Sequence, residues 1–298
     1  MSASEKNTSV APAPAPAQRR GEDRLPGDGA AAKGGTPGRP QPAVPRLRSD
    51  VADFLRFVRR PTLRRRPPRH PGSGVAADWR ATVGLRRLFA WVTILWGINL
   101  FVLGPVAVAA AGTGGAQHRL AMAAIPVFTA IVWAPLVEEL LFRYGLRRPQ
   151  HALWLVPLLL WPLFGGPGPA GAAILGAGML LSLWLIVRGR SKAITRHGGM
   201  RHAWRWSWRR RYIRLFPWVV HLAALVFAGM HLANFTLNQT ALWLTPLLVL
   251  PQWLTGLVLA WMRVRRGIAC SILMHSMFNA GPVLLVVAIR QWAPEMMA

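Results

Sequence analysis

Long apolar stretches follow one another with little interruption after Gly84, and no other feature of the sequence constrains the fold as strongly. A helix needs about 20 apolar residues to cross the hydrocarbon core of a bilayer. Unpaired backbone groups are costly in lipid, and the stretches lack the alternating pattern of a membrane barrel strand. The sequence therefore predicts an all-α membrane protein, a polytopic bundle of about seven (six to eight) transmembrane helices. The predicted spans are Leu88–Ala111, Leu120–Phe142, Leu153–Phe164, Ala172–Val187, Leu215–Phe235, Ala241–Met262 and Ile268–Ile289.

The connectors between these spans predict the orientation of the chain. The third and fourth spans are short, and residues 151–187 either cross twice or form a tilted or re-entrant hairpin around GGPGPAG. In both cases, basic connectors such as Arg188–Arg214 and RVRRG at 263–267 alternate with uncharged ones. Because basic loops stay in the cytoplasm, we expect a multi-pass protein of the cell membrane with a cytoplasmic N-terminus and an external C-terminus.

The charge of the chain excludes nucleic acid as the expected partner. The formal net charge is +26, yet only 15% of the residues are charged and 53% are hydrophobic. The basic residues lie in the N-terminal region and in short connectors, as they do in proteins that contact a lipid bilayer through basic loops. The one cysteine, Cys270, lies in an apolar span, so neither an internal disulfide nor a cysteine cluster for zinc is expected.

Residues 1–84 are predicted to form a disordered, basic, cytoplasmic arm, and residues 85–292 the membrane domain. The arm is rich in Pro, Ala, Gly and Arg and has too few large apolar residues to offset the entropy of ordering. One stretch within it, Asp50–Arg60, has an apolar helical face and a basic end. It is interpreted either as an interfacial helix on anionic lipid or as a transient helix of the arm.

Two adjacent glutamates, Glu138 and Glu139, are the only acidic residues between Asp78 and Glu295, and both lie in a predicted span. A carboxylate at membrane depth is costly unless it is paired or hydrated, which indicates a function. The alternative is an ion pair that locks helices together. Glu139 and Arg143 have the i, i+4 spacing at which helical side chains meet, whereas Glu138 is free to face a cavity.

Histidines in later spans supply further polar groups. His231 follows Phe227 by one turn in FAGMH, and His275 precedes Asn279 by one turn in HSMFN. A carboxylate base, imidazoles and an amide donor are the groups needed to activate water and stabilise an oxyanion. His221 has no companion motif and is interpreted as a packing residue.

These three motifs, EELLFR (Glu138, Glu139, Arg143), FAGMH and HSMFN, resemble the EExxxR, FxxxH and HxxxN/D signatures of the CAAX-protease and bacteriocin-processing (CPBP) family. The resemblance covers about Leu120 to Leu285 and implies a protease core at 120–285. Type II CAAX prenyl endopeptidases belong to this family. The stretch between Arg143 and His231 is longer than expected for this family. The rise of a helix also places His231 about 25 Å from the basic residue Arg214. That distance is about 10 Å longer than the distances from Glu138 and His275 to their nearest basic connectors.

The resemblance implies an intramembrane endopeptidase acting on a membrane-associated peptide or protein. In this hypothesis Glu138 activates water, His231 assists it, and His275 and Asn279 stabilise the oxyanion, while Glu139, Arg143 and Phe227 support the site. Zn²⁺ could be held by Glu138, His231 and His275. No HExxH pattern supports that metal site, and both a metal-dependent and a metal-free mechanism stay open.

Two alternatives use the same residues differently. A membrane transporter or proton-relay protein would use the buried Glu and His side chains as a pathway. A non-catalytic family member of the bacteriocin-immunity type would only bind a partner. A transporter would favour a repeat relating the two halves of the chain, and the sequence contains none that we detect.

Overall fold

The computed structural model describes residues 46–65, 78–119, 126–194 and 199–292, and the side chains of residues 189–206 fall outside that description. Within these ranges the chain is almost wholly helical, which confirms the predicted all-α fold. The helices are α1 (Leu47–Arg59), α2 (Leu85–Ile98), α3 (Gly104–Gly114), α4 (Ala134–Phe142), α5 (Pro149–Gly165), α6 (Pro169–Ile194), α7 (Gly199–Met230), α8 (Thr245–Leu248), α9 (Leu250–Arg265) and α10 (Ile268–Trp292).

Short irregular segments connect or extend these helices. Asn99–Leu103 and Thr129–Trp133 are π-helical, and Tyr144–Arg147 and His231–Asn234 are 3₁₀-helical. Two-residue strands, β1 (Gln117–His118) and β2 (Phe235–Thr236), pair antiparallel, with Gln117 opposite Thr236. This pairing ties the chain just after His231 to the segment that follows α3.

Four helical segments within the described ranges are long and apolar enough to cross a membrane. They are Leu85–Gly114, Pro169–Arg188, Ser207–Asn234 and Ile268–Trp292. The protein is thus a multi-pass membrane protein. The first six residues of the predicted span Leu120–Phe142 lie outside the described residues. α5 and α9 reach only 17 and 16 residues, shorter than the spans that most bilayers require.

Helix α9 lies at the centre of the bundle. Every residue from Thr255 to Arg265 is buried, as expected for a helix surrounded by others. α9 packs against α7 and α10 around a core that includes Trp91, Phe216 and Trp261. Gly256 allows a close approach, because a Cβ there would lie 3.1 Å from the Phe227 ring and 3.4 Å from the Arg143 guanidinium.

Helix α1 is an ordered part of this core, whereas the sequence interpretation made Asp50–Arg60 either an interfacial or a transient helix within a disordered arm at residues 1–84. Phe54 and Phe57 are buried against α9 and its neighbours. Asp50 pairs with Arg266 and Asp53 with Arg265, each at 2.8 Å. The prediction missed this docking because the acidic residues of the arm find their partners in the distant RVRRG connector. Residues 1–45 and 66–77 of the predicted arm lie outside the described residues.

A third buried ion pair joins the segment before α2 to the end of α9. Asp78 lies 2.7 Å from Arg263 and 2.8 Å from Arg65. Burial alone would raise the pKa of Asp78, but the two guanidiniums more than offset it and hold that pKa well below its usual range. Arg263 also donates to the backbone carbonyls of Arg143 and Tyr144, so the pair fixes the end of α4.

Candidate active site

A polar cavity of about 160 Å³ opens between the π-helical end of α2 and helices α7, α9 and α10. Its wall includes four residues from the sequence motifs. They are Phe227, His231, His275 and Asn279. Glu138 does not line the cavity itself but lies beside it, in contact with His275.

Glu139 lies at the centre of a fully buried polar cluster next to this cavity. Its Oε1 atom is 3.2 Å from Nη1 of Arg143 and 3.1 Å from Nδ1 of His275, and Ser271 donates a hydrogen bond to Oε2. The Arg143 guanidinium also lies 3.8 Å from the centre of the Phe227 ring, a cation–π contact. The i, i+4 pairing of Glu139 with Arg143 that the sequence predicted is therefore present.

Glu138 occupies a more open position on the same helix. Its side chain is 16% exposed, whereas that of Glu139 is completely buried. Its Oε2 atom lies 3.7 Å from Nε2 of His275, slightly beyond hydrogen-bonding distance and within reach of one bridging water. The His275 ring thus stands between the two glutamates, with one nitrogen facing each.

His231 begins the 3₁₀ segment that follows α7. Its Nδ1 atom lies 2.8 Å from the carbonyl oxygen of Phe227, to which it donates. In the neutral ring this leaves Nε2 as a proton acceptor. The Phe227 ring packs edge-on against both His231 and His275, with centroid distances of 4.7 and 5.9 Å. Phe227 therefore spaces the two imidazoles along the cavity wall.

The excess depth computed for His231 does not separate it from the other motif residues, because it lines the same cavity as His275. α7 has 32 residues and is about 48 Å long, more than a hydrocarbon core of about 30 Å requires. Because Arg214 lies inside this helix, the distance from Arg214 does not by itself place His231 too deep for the site. α5, α6 and the first turns of α7 take up the long stretch between Arg143 and His231.

The side chain of Asn279 bonds to the π-helical segment that precedes α4. Its side-chain nitrogen donates a 2.9 Å hydrogen bond to the backbone carbonyl of Ala130, in the π-helical segment. The Ala134 N–H bonds to Thr129, and Pro135 has no N–H with which to reach the Ala130 carbonyl. Asn279 supplies the missing donor, and its second N–H hydrogen remains available to the cavity.

The metal site that the sequence left open does not match the arrangement of its three residues. Among the residues that the structure describes, no group of three or more His, Cys, Asp or Glu side chains is placed to hold a metal ion. We therefore derive no step through Zn²⁺.

Four polar residues near the site belong to none of the sequence motifs. Ser271 lies one helical turn before His275 and contacts Glu139, while Asn99, Gln252 and Thr255 line the cavity. One signal was available in the sequence. Asn99 and Gln252 are uncharged polar residues inside predicted spans, where polar side chains usually mark a functional interior.

His221 behaves as the packing residue that the sequence indicated. Its Nε2 atom lies 3.1 Å from the carbonyl of Val58 in α1, and it does not line the cavity.

A family model, type II CAAX prenyl endopeptidase Rce1-like, matches residues 120–281, which is more than half of the chain. The chain belongs to this family. The match confirms the resemblance drawn from the three motifs and includes all of them. It makes the protein a member of a family of membrane-embedded endopeptidases. No curated protein and no solved structure matches the chain.

Proposed function

We propose that this protein is an intramembrane endopeptidase that hydrolyses a peptide bond with a water molecule activated by Glu138. The observation that carries the proposal is the 3.7 Å approach of Glu138 to His275, at the edge of the cavity that His231 and Asn279 also line. A base, two imidazoles and an amide donor within one small cavity are what acyl transfer to water requires.

The two glutamates have different surroundings, which supports Glu138 as the base. Glu139 forms an ion pair with Arg143, and its two carboxylate oxygens accept hydrogen bonds from Ser271 and His275. Glu138 retains exposed surface and has no hydrogen-bonded partner closer than His275 at 3.7 Å among the described contacts. A general base needs such access to water, so Glu139 acts by holding His275 and Arg143 in place.

The donors for the oxyanion are His275 and Asn279. When both ring nitrogens of His275 carry protons, Nδ1–H is donated to Glu139 and the second N–H is free for substrate. The amide of Asn279 has a further N–H beyond the one bonded to Ala130. Fixed donors of this kind stabilise the developing charge because they need no reorganisation during the reaction.

The reaction proceeds in two steps, attack of water on the peptide carbonyl and release of the amine. Glu138 takes one proton from water while the water oxygen bonds to the peptide carbonyl carbon, and Nε2 of His231 accepts a hydrogen bond from the hydrogen that stays on that oxygen. The carbonyl oxygen becomes an oxyanion bound by His275 and Asn279. The carbon–nitrogen bond then breaks, and Glu138 returns its proton to the departing amine. The products are one new carboxylate and one new amine.

The substrate is a membrane-associated peptide or protein. We place the protein in the cell membrane. The basic connectors support an orientation with the N-terminus and the Arg188–Arg214 connector in the cytoplasm, so that substrate enters from that side. The family description adds a chemical class, a peptide whose prenylated cysteine precedes its last three residues.

Cleavage by the purified protein tests the proposal. A quenched fluorescent peptide with a farnesylated cysteine before its last three residues would be incubated with the protein in nanodiscs, beside the Glu138→Gln variant. Cleavage by the wild type and its loss in the variant are expected, with mass spectrometry giving the bond broken. Equal rates of cleavage by both proteins would remove Glu138 as the base, whereas no cleavage by either would contradict proteolysis and favour a relay or binding protein.

A further inference from the structure

One wall of the cavity is formed by polar residues that the proposed chemistry does not use. Asn99 comes from the π-helical end of α2, and Gln252 and Thr255 come from α9. Asn99 lies outside residues 120–281, the part of the chain that the family model matches. Three polar side chains on one wall of a membrane cavity indicate a ligand contact, because polar groups at this depth are costly.

The orientation of the Asn99 amide follows from its neighbours. The hydroxyl of Thr255 donates to the carbonyl of Pro251 at 2.9 Å, so its oxygen can only accept from Asn99. The NH₂ group of Asn99 therefore faces Thr255, at 3.5 Å, and the carbonyl oxygen Oδ1 points elsewhere. Oδ1 is buried and has no hydrogen-bond partner among the described residues.

Gln252 presents a second acceptor of the same kind. Gln252 lies about one helical turn before Thr255 on α9 and lines the same cavity. Its Oε1 atom is also buried without a hydrogen-bond partner in the described part of the chain. Two buried amide oxygens without donors cost free energy, and a ligand that brings N–H groups relieves that cost.

We propose that Asn99 and Gln252 form a subsite that accepts hydrogen bonds from backbone N–H groups of the peptide beside the bond to be cleaved. The proposal rests on the proposed proteolysis at this site. Neutral peptide N–H groups fit better than a cationic side chain, because the acceptors are uncharged amides and Arg143 already lies close behind the wall at Gly256. Asn99 and Gln252 are thus binding residues, and Thr255 is a positioning residue that orients Asn99.

The test measures binding separately from cleavage. Peptides of the farnesylated CAAX type would be made with each amide N–H flanking the scissile bond replaced in turn by an ester oxygen, which removes one donor. Their affinities would be measured by fluorescence anisotropy on the Glu138→Gln protein in nanodiscs. At least one ester is expected to bind about threefold to tenfold more weakly than the parent peptide, the usual effect of one hydrogen bond.

Second variants in the same Glu138→Gln protein connect that effect to the wall. With Gln252→Met or Asn99→Leu, the sensitive ester and its parent should bind equally, because the acceptor is gone. Gln252→Glu keeps an acceptor oxygen and should keep the difference. Gln117→Met makes the same change at the exposed strand β1 and should leave both affinities unchanged.

The outcomes separate the subsite from the protease. If the ester substitution weakens binding to the wall variants as much as it weakens binding to the Glu138→Gln protein, the subsite is overturned. Cleavage by the wild-type protein would still support proteolysis in that case. Ester-sensitive binding that depends on Gln252 or Asn99, without cleavage by the wild type, would support the subsite and refute proteolysis. Absence of any peptide binding would overturn the subsite.

Discussion

Nε2 of His275 lies 3.7 Å from Oε2 of Glu138, although the two residues come from motifs far apart in the sequence. The other nitrogen of the same ring contacts Glu139. One imidazole therefore connects the buried, fully paired carboxylate to the more open one. This asymmetry gives the adjacent glutamates opposite expected responses to the same substitution.

Glu138→Gln should abolish chemistry without harming the fold. The amide keeps the size of the side chain and its hydrogen bonding but cannot take a proton from water. We expect proteolysis to fall at least about a hundredfold, the lower range for a general base. Expression in the membrane and thermal unfolding should match the wild type. Full activity in this variant would remove Glu138 as the base.

Glu139→Gln should act mainly on stability. Arg143, which is 1% exposed, would lose its counter-charge, and leaving a buried cation unpaired costs about 3–5 kcal/mol. We expect lower abundance and a lower unfolding temperature, with part of the activity kept by the surviving protein. Normal stability with complete loss of activity would instead assign the chemistry to Glu139.

Asn279→Ala should reduce the rate of cleavage with little effect on substrate binding. It removes an oxyanion donor, and the loss of one such donor typically lowers kcat by about 10²–10³. Comparison with Ser276→Ala, a smaller loss of a polar group on the same helix but outside the cavity, controls for general damage to α10. A raised KM with unchanged kcat would speak against an oxyanion role.

Asp78→Asn should destabilise the protein in a pH-dependent way. The pKa of Asp78 is depressed by Arg263 and Arg65 despite burial, so its ionised form stabilises the fold above about pH 4, the usual aspartate range. That contribution is lost as the pH falls from there toward the depressed value. The unfolding temperatures of the variant and the wild type should differ most near neutral pH. The difference should begin to shrink as the pH falls below about 4. A difference that stays constant with pH would refute this account.

Reporter fusions should place the Arg188–Arg214 connector in the cytoplasm. Its basic residues would otherwise have to cross the membrane, against the observed tendency of basic loops. A cysteine introduced within the connector should be labelled by impermeant reagents only after the membrane is broken. Labelling in intact cells would reverse the proposed side of substrate entry. A second fusion in the uncharged connector at Gly112–Gly115 should give the opposite result.

Apolar patterning predicted the helical membrane fold because lipid leaves few other ways to satisfy the backbone. It could not predict that α1 is ordered. Phe54 and Phe57 look ordinary in a stretch rich in arginine, and the reason for their burial lies in Arg265 and Arg266, more than two hundred residues away. Such pairing depends on tertiary structure, which local composition does not contain.

The candidate site was predictable to the extent that it uses sequence motifs. Glu138, His231, His275 and Asn279 carry the motifs and lie on or beside one cavity. Asn99 was not found, because it stands alone in an apolar span. The hydrogen bond from Asn279 to Ala130 was also beyond sequence reasoning, since it depends on a π-helical turn before Pro135.

The ion pairs between the N-terminal region and the end of α9 bear on how the sequence can diverge. Arg263, Arg265 and Arg266 are buried, and each is paired with an aspartate that precedes the family-matched segment. Losing one partner strands a desolvated charge, whereas losing both together is far less harmful. Relatives that have replaced Asp50, Asp53 or Asp78 should therefore have replaced the corresponding arginine as well. Their N-terminal regions and α9 would then co-evolve as one unit, although only α9 lies in the recognised protease segment.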